Sequence, residues 1–349
     1  MGKRTRSRRR QTVALIALAV AAPLRTRSAA AMSPVSAKTP GDATTPTKAK
    51  APDRTLNLQD YLSGTGAITV VRAGLVIDPY FSIKALLCGH RLGLQVDHLA
   101  LPLLDWLVPR QQLDGTFSRY RSQGAEWQAY APADADDSMA AGVIELIALL
   151  APVHGMSPQW AIAIERCQGL LTKLLSDRGT YDLSLTTPVQ LLMDNCEVHQ
   201  AIREYADCQR RRFRLLAAWQ SYRKAQRLRT AIVDQFWQPD QRRYRISSQP
   251  RSADAFYPDA TAQWFPRLCG LNDHIGIPIV ELAPWLQRYG DGWLAGASDH
   301  YPWGLMAMAM RLAGRADLVA RWLSLAAGLR DSARWNVLEE AIYQGLLDR

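Results

Sequence analysis

Three carboxylates, Asp134, Asp136 and Asp137, fall within four residues and lead into an apolar run from Met139 to Leu150 that carries one charge in twelve residues. Crowded carboxylates push one pKa up, which keeps a proton available, while a neighbour left ionised can take one. The competing reading is a helix cap, because an aspartate in a first turn complements the helix dipole. One cap needs one aspartate, and three repel one another. Asp194 and Glu197 form the next pair. Three residues apart, they share a helix face and can reach one cleft as acid and base, or they form an Asp-x-x-Glu capping box. Tyr257-Pro258-Asp259 offers a water-activating carboxylate beside an aromatic donor, again with an N-cap turn as the alternative.

The same grammar, an acidic or aromatic turn and then an apolar helix, recurs at Asp78-Pro79-Tyr80-Phe81, at Tyr301-Pro302-Trp303 and more weakly at Trp335-Asn336. Carboxylates mixed with aromatic rings suit a carbohydrate site. Acids transfer protons and stabilise a developing oxocarbenium ion, and ring faces stack on the apolar faces of sugars. The candidate catalytic residues are therefore Asp134, Asp136, Asp137, Asp194, Glu197 and Asp259. The candidate substrate-binding residues are Asp78, Tyr80, Tyr130, Tyr257, Gln263, Tyr301 and Trp303, with simple core packing as the alternative for the last two. The histidines His90, His98, His154, His199, His274 and His300 show no metal-ligand spacing. There is no phosphate loop, nucleophile elbow or dinucleotide fingerprint, so no metal and no cofactor is expected.

Helices must hold these turns. Pro79 suits a first helical position, and Tyr80–Leu92 reads as buried. Val96–Gln112 follows, and a polar, aromatic loop from Ser118 to Ala133 leads to the aspartates. Helices then come in pairs: Met139–Leu150 with Pro158–Leu175, Asp194–Cys208 with Arg211–Phe236, Asp259–Leu271 with Pro278–Tyr289, and Trp303–Leu312 with Ala316–Leu329. Asn336–Leu347 closes the chain. The first of each pair is apolar nearly all round and the second amphipathic, the signatures of buried and water-facing helices. Six buried helices, starting near 79, 137, 194, 259, 302 and 336, describe an all-α fold. It is an (α/α)6 toroid of helical hairpins, one large domain over 56–349. If the buried helices run the same way, their N-termini open on one face and the candidates meet there.

Composition limits the function classes. The 349 residues are 48% hydrophobic, normal for a globular core. The net charge of +10 is misleading: residues 1–31 hold eight cations and no acid, leaving +2 for residues 32–349. A nearly neutral body gives no case for a nucleic-acid partner. Arg210-Arg211-Arg212-Phe213-Arg214, with Arg223, Lys224, Arg227 and Arg229, lies on a predicted outer helix and reads as a solvated face, with an acidic-polysaccharide contact as the alternative. The five cysteines contain no CxxC pair and read as buried thiols. Cys196 and Cys208, about 18 Å apart on one helix, cannot bridge to each other.

Residues 1–31 read as a signal peptide. A basic stretch precedes an apolar run, Val13–Ala22, too short to span a bilayer, and Ala29-Ala30-Ala31 suits cleavage. Ser7-Arg8-Arg9-Arg10 resembles a twin-arginine signal. Residues 32–55, rich in Pro, Thr, Ala and Lys, read as a flexible linker. The expectation is a periplasmic or secreted monomer without stable membrane insertion, or a cytoplasmic protein if Met32 is the true start.

On four motifs the chain resembles the six-hairpin glycosidase superfamily, including glycoside hydrolase family 8 and secreted relatives. They are Asp78-Pro79-Tyr80-Phe81, Pro132-Ala133-Asp134-Ala135-Asp136-Asp137-Ser138, Asp194-Asn195-Cys196-Glu197-Val198 and Tyr257-Pro258-Asp259-Ala260-Thr261-Ala262-Gln263. The resemblance implies an (α/α)6 barrel and hydrolysis of a polysaccharide by a carboxylate pair. Family 8 places its acid in a Glu-Gly-x-x-Tyr-Gly segment, and here that region reads Asp78-Pro79-Tyr80-Phe81-Ser82, so the resemblance leaves the general acid unassigned. Two alternatives stand beside hydrolysis. One is a non-catalytic saccharide-binding or exopolysaccharide-assembly protein. The other is a terpene cyclase, because Asp134-Ala135-Asp136-Asp137-Ser138 also resembles the Asp-x-Asp-Asp-Thr acid motif of protonation-initiated cyclases.

Overall fold

The computed structural model describes residues 54–347 except 125, 251–253 and 274–275. The expected signal peptide, nearly all of the expected linker, and His274 lie outside the described residues. Helices α1 (Pro79–Arg91) and α2 (Asp97–Leu107) form the first hairpin, α3 (Asp136–His154) and α4 (Pro158–Leu174) the second, and α5 (Leu192–Arg211) and α6 (Leu215–Phe236) the third. The fourth hairpin is broken. Its inner arm ends in α7 (Phe265–Leu268), and its outer arm runs from α8 (Leu282–Trp285) through a π-turn to α9 (Asp291–Leu294). Then α10 (Gly304–Leu312) pairs with α11 (Ala316–Ala327), and α12 (Val337–Leu346) closes the ring.

The inner ring runs α1, α3, α5, α7, α10, α12 and back to α1. Members such as α3 are buried because they are apolar on every side, whereas α5 buries polar side chains, Asp194, Asn195 and Glu197 among them, in its first turns. By length and composition α3 could cross a membrane, yet most of it is buried inside the toroid, as a core helix would be. Ring closure needs a close approach. Gly345 on α12 lies so near Leu92, just past α1, that a β-carbon there would overlap the leucine side chain. Among the described residues no outer helix follows α12. The extended segment 54–77 covers it instead: Val337 N–H donates to Val70 O at 2.9 Å, and Gln344 exchanges bonds with the Asn57 backbone at 3.0 and 2.7 Å. All five cysteines are buried and free, and Cys196 and Cys208 sit together on α5.

Three expectations need correction. The expected loop 118–133 is an antiparallel hairpin, β2 (Ser118–Gln123) and β3 (Glu126–Pro132), with β1 (Val76–Ile77) on the far side of β2. Only Tyr120 is buried among its strand residues, so the sequence carried no inside–outside alternation to reveal it. The expected helix Asp259–Leu271 is a π-turn over Phe256–Ala260, a 3-10 turn over Ala262–Trp264 and then α7. Pro258 and Pro266 remove two backbone donors from this stretch, which prevents one regular helix. The expected outer arm from Pro278 begins only at Leu282.

Candidate active site

At the start of α5, Asn195 accepts from Tyr181 N–H at 2.6 Å and donates to Tyr181 O at 3.0 Å and Leu191 O at 2.9 Å. This ties the loop before α5 to its first turn. Asp194 and Glu197 make no capping box, since the N-cap is Leu191 and no side chain caps the helix. Glu197 Oε1 instead accepts the Tyr80 hydroxyl at 2.8 Å and pairs with Lys84 Nζ at 3.0 Å. Tyr80 and Lys84 stand four apart on α1, so one helix face delivers both, with Nζ 5.3 Å from the Tyr80 ring centre. Asp137, from α3, accepts from Ser138 N–H at 2.8 Å.

Asp137 and Asp194 are 0% exposed and Glu197 is 2% exposed. Asp137 Oδ2, both Asp194 carboxyl oxygens and Glu197 Oε2 have no hydrogen-bond partner among the described residues. Burial pushes the Asp137 carboxyl well above the carboxylate range, and the nearby Asp194 adds to it. Burial raises Asp194 in the same way, with Glu197 pushing up and Lys84 pulling down. Burial lifts Glu197 to about 7 against the opposing pull of Lys84. Burial and mutual repulsion therefore both oppose ionising all three acids together, with Lys84 the opposing cation at Glu197 and Asp194.

A second group sits nearer the rim. Asp78 caps α1, accepting from Tyr80 N–H at 3.0 Å, and burial followed by repulsion from Asp134 raises it to about 6. Asp134 pairs with Arg119 at 2.9 Å, and Arg119 and Arg121 lie 5.9 and 4.7 Å from the ring of Tyr130, which is 43% exposed. The unanticipated hairpin thus places arginines and an exposed aromatic beside Asp134. Asp136 is held differently. Its N–H donates to Leu183 O at 2.8 Å, and burial raises its carboxyl to about 6 while a bond from the Leu185 backbone opposes the rise.

Asp259 accepts from Ala255 N–H at 3.0 Å and lines a groove of about 500 Å³ with Gln238, Arg243 and Ser247. A neighbouring hollow shares Asp259 and Arg243 and reaches Trp285 and Tyr289. Ile246, which also lines the groove, accepts from Leu192 N–H at 3.0 Å, so this groove opens at the same end of the toroid as the start of α5. Gln263 is engaged structurally, bonded to the Tyr244 backbone at 2.9 and 3.0 Å and to Asp259 O at 3.1 Å. Trp303 is buried and stacks on Tyr257 at 4.9 Å, with Tyr301 edge-on at 6.4 Å. Trp303 therefore supports Tyr257, which remains half-buried near Tyr80.

Two residues escaped the sequence reading. Lys84 is a charged residue in a buried helix, and its signal was the four-residue spacing from Tyr80. Glu339 accepts Gly304 N–H at 2.8 Å and joins the starts of α10 and α12, and burial raises it to about 7. Its signal was the spacing Asn336-x-x-Glu339, since Asn336 caps α12 through Leu338 and Glu339 N–H.

Solved structures share this fold. A glycosidase variant with glucose bound is 13% identical, with a TM-score of 0.57 over 83% of this chain and 93% of that one. An α-amylase from Clostridium perfringens is 14% identical, with a TM-score of 0.54 over 83% and 94%. A rhamnosidase from Klebsiella oxytoca with rhamnose bound is 11% identical, with a TM-score of 0.50 over 77% of this chain and 57% of that one. No family model and no curated protein matches the chain. The fold is a helical toroid of hairpins, as expected from the sequence, and glycosidases are among the solved structures that share it.

Proposed function

We propose that this chain is a glycoside hydrolase acting on a polysaccharide or oligosaccharide, with carboxyl groups at the inner-helix mouth as acid and base. One observation carries the reading. Asp137, Asp194 and Glu197, from two helices, are buried carboxyls with oxygens that have no hydrogen-bond partner among the described residues, beside Tyr80 and Lys84. The fold adds support, since its solved neighbours include glycosidases with glucose or rhamnose bound.

A carboxyl kept protonated near neutrality can protonate a glycosidic oxygen, and an ionised neighbour can activate water or stabilise the oxocarbenium ion. Lys84 keeps Glu197 the most readily ionised of the three, which suits the base, and the Asp137–Asp194 pair supplies the proton. In this reading Asp78 and Asp134 accept bonds from sugar hydroxyls, and Tyr130 and Tyr257 offer ring faces. The basic, apolar residues 1–31 support action outside the cytoplasm, in the periplasm or beyond.

The purified protein is tested on bacterial exopolysaccharides and plant glucans by release of reducing ends. Release that is lost in Asp137→Asn and Glu197→Gln supports the proposal. The near-zero exposure of the three carboxyls favours a second reading, a saccharide-binding protein whose deep acids do no chemistry. Saccharide binding without release, unchanged in both variants, selects that reading.

A further inference from the structure

The strongest feature outside this site lies at the far end of the toroid. α5 is 20 residues long, so the turn from α5 to α6 stands about 30 Å from the mouth. Phe213, in that turn, is 89% exposed. Leu215 and Leu216 follow, both exposed, and Trp219 is 53% exposed one helical turn later. Exposed single hydrophobes are ordinary, but four within seven residues form an uncovered apolar tip. Phe213 has a φ of +57°, a left-handed backbone that non-glycine residues seldom adopt, and its ring stands in solvent.

Charge surrounds the tip. Residues 208–233 contain eight cations and no acid. Residues 32–349 carry +2 in all, so the remainder of them carries −6 and the basic charge is concentrated in this segment, where Asp207 at its edge pairs with Arg210. Leu216, Trp219, Arg223 and Arg227 follow one another at helical spacing on the outer side of α6, apolar at the tip and cationic behind it. Beside them runs a groove of about 440 Å³, walled by Leu175, Tyr181, Trp219 and Leu228 and flanked by Arg223 and Lys224. Arg223 lies 4.9 Å from the Trp219 ring, an arrangement that keeps the cation at the level of the indole.

We propose that the α5–α6 tip binds an anionic lipid surface, with Phe213, Leu216 and Trp219 inserted at the headgroup–acyl boundary and the surrounding arginines on the lipid phosphates. Charge complementarity favours this occupant over a second copy of the chain, whose matching face would carry the same eight cations. Aromatic and leucine side chains on one side of a basic helix are the composition of interfacial anchors, and each nearby cation adds to attraction by an anionic leaflet. The contact is peripheral and spans nothing. Its consequence is orientation: with this end on the membrane, the carboxylate mouth faces away from it. The inference does not depend on the hydrolase reading.

The test is sedimentation of the full chain with vesicles of phosphatidylcholine alone and of phosphatidylcholine with phosphatidylglycerol. A variant carrying Phe213→Ser, Leu216→Ser and Trp219→Ser is run alongside, as is one carrying Arg211→Gln, Arg223→Gln and Arg227→Gln. All six positions are exposed, so thermal unfolding should be unchanged. Binding should require the anionic lipid, and each variant should bind at least about tenfold more weakly. Wild-type binding to neither vesicle overturns the proposal. Equal binding by wild type and variants also overturns it, because the basic residues 1–31 would then account for the attraction. A wild-type dimer that the serine variant abolishes, without vesicle binding, assigns the tip to a second copy instead.

Discussion

The Tyr80 hydroxyl and Lys84 Nζ approach the same oxygen, Glu197 Oε1, at 2.8 and 3.0 Å, in a site that is almost wholly closed to solvent. A buried carboxylate loses its hydration and keeps its charge only if such partners replace it. Lys84→Met should therefore be costly where Glu197 is ionised and mild where it is protonated. We expect a loss of about 3–5 kcal/mol at about pH 8, and much less at about pH 5. Chemical denaturation at the two pH values checks this.

Stability as a whole should fall as pH rises. Burial raises both Glu197 and Glu339 from 4.5 to about 7 in the folded state. Between those values the folded protein binds more protons than the unfolded chain. The stabilisation is complete below the unfolded pKa and is lost as pH passes through the folded one. A tenfold change in proton affinity corresponds to about 1.4 kcal/mol, so a drop on the order of a few kcal/mol is expected across that window. Thermal unfolding measured across it should show a falling Tm.

Asp194→Asn separates stability from activity. Both carboxyl oxygens of Asp194 are buried without a hydrogen-bond partner among the described residues, and Glu197 repels them. Burial raises this carboxyl, and an amide resembles its neutral form in shape and charge, so the Tm at neutral pH should hold. Release of reducing sugar should fall at least about 100-fold, the scale of a lost acid–base group. A parallel loss of Tm and activity would make Asp194 a structural residue.

The joint between α10 and α12 is tight. A β-carbon at Gly304 would lie 2.7 Å from Glu339 Oε2 and 2.9 Å from Trp322. Gly304→Ala should cost about 1–3 kcal/mol, as overpacking does in a filled core, and urea titration would show it as a lower midpoint.

How far the fold could be read in advance follows from where the physical signal lies. The inner helices announced themselves because helices such as α3 are apolar on every side. Expected starts near 79, 137, 194, 302 and 336 compare with Pro79, Asp136, Leu192, Gly304 and Val337. The inner arm expected from 259 did not announce its breaks, since Pro258 was read only as part of a cap. The hairpin 118–132 was invisible because most of its side chains meet water on both faces. Within the site, Asp194 and Glu197 could be paired by spacing, and the shared direction of the buried helices brought Asp137 to the same face without telling which acids it would meet there. That juxtaposition is made by packing α3 against α5, which no local pattern encodes. Trp303 and Gln263 show the converse: residue types suited to binding sugars are used here to hold Tyr257 and Tyr244.

The central claim is that Asp137, Asp194 and Glu197 share protons in one dry site, and carboxyl titration by carbon NMR in the full chain measures this directly. Single amide substitutions at each of the three positions assign the signals. The account predicts that one or more of these carboxyls remains protonated at neutral pH, and that Asp194→Asn moves the titration of Asp137 downward. Three independent titrations near the ordinary carboxylate value, each indifferent to the other two substitutions, would contradict it.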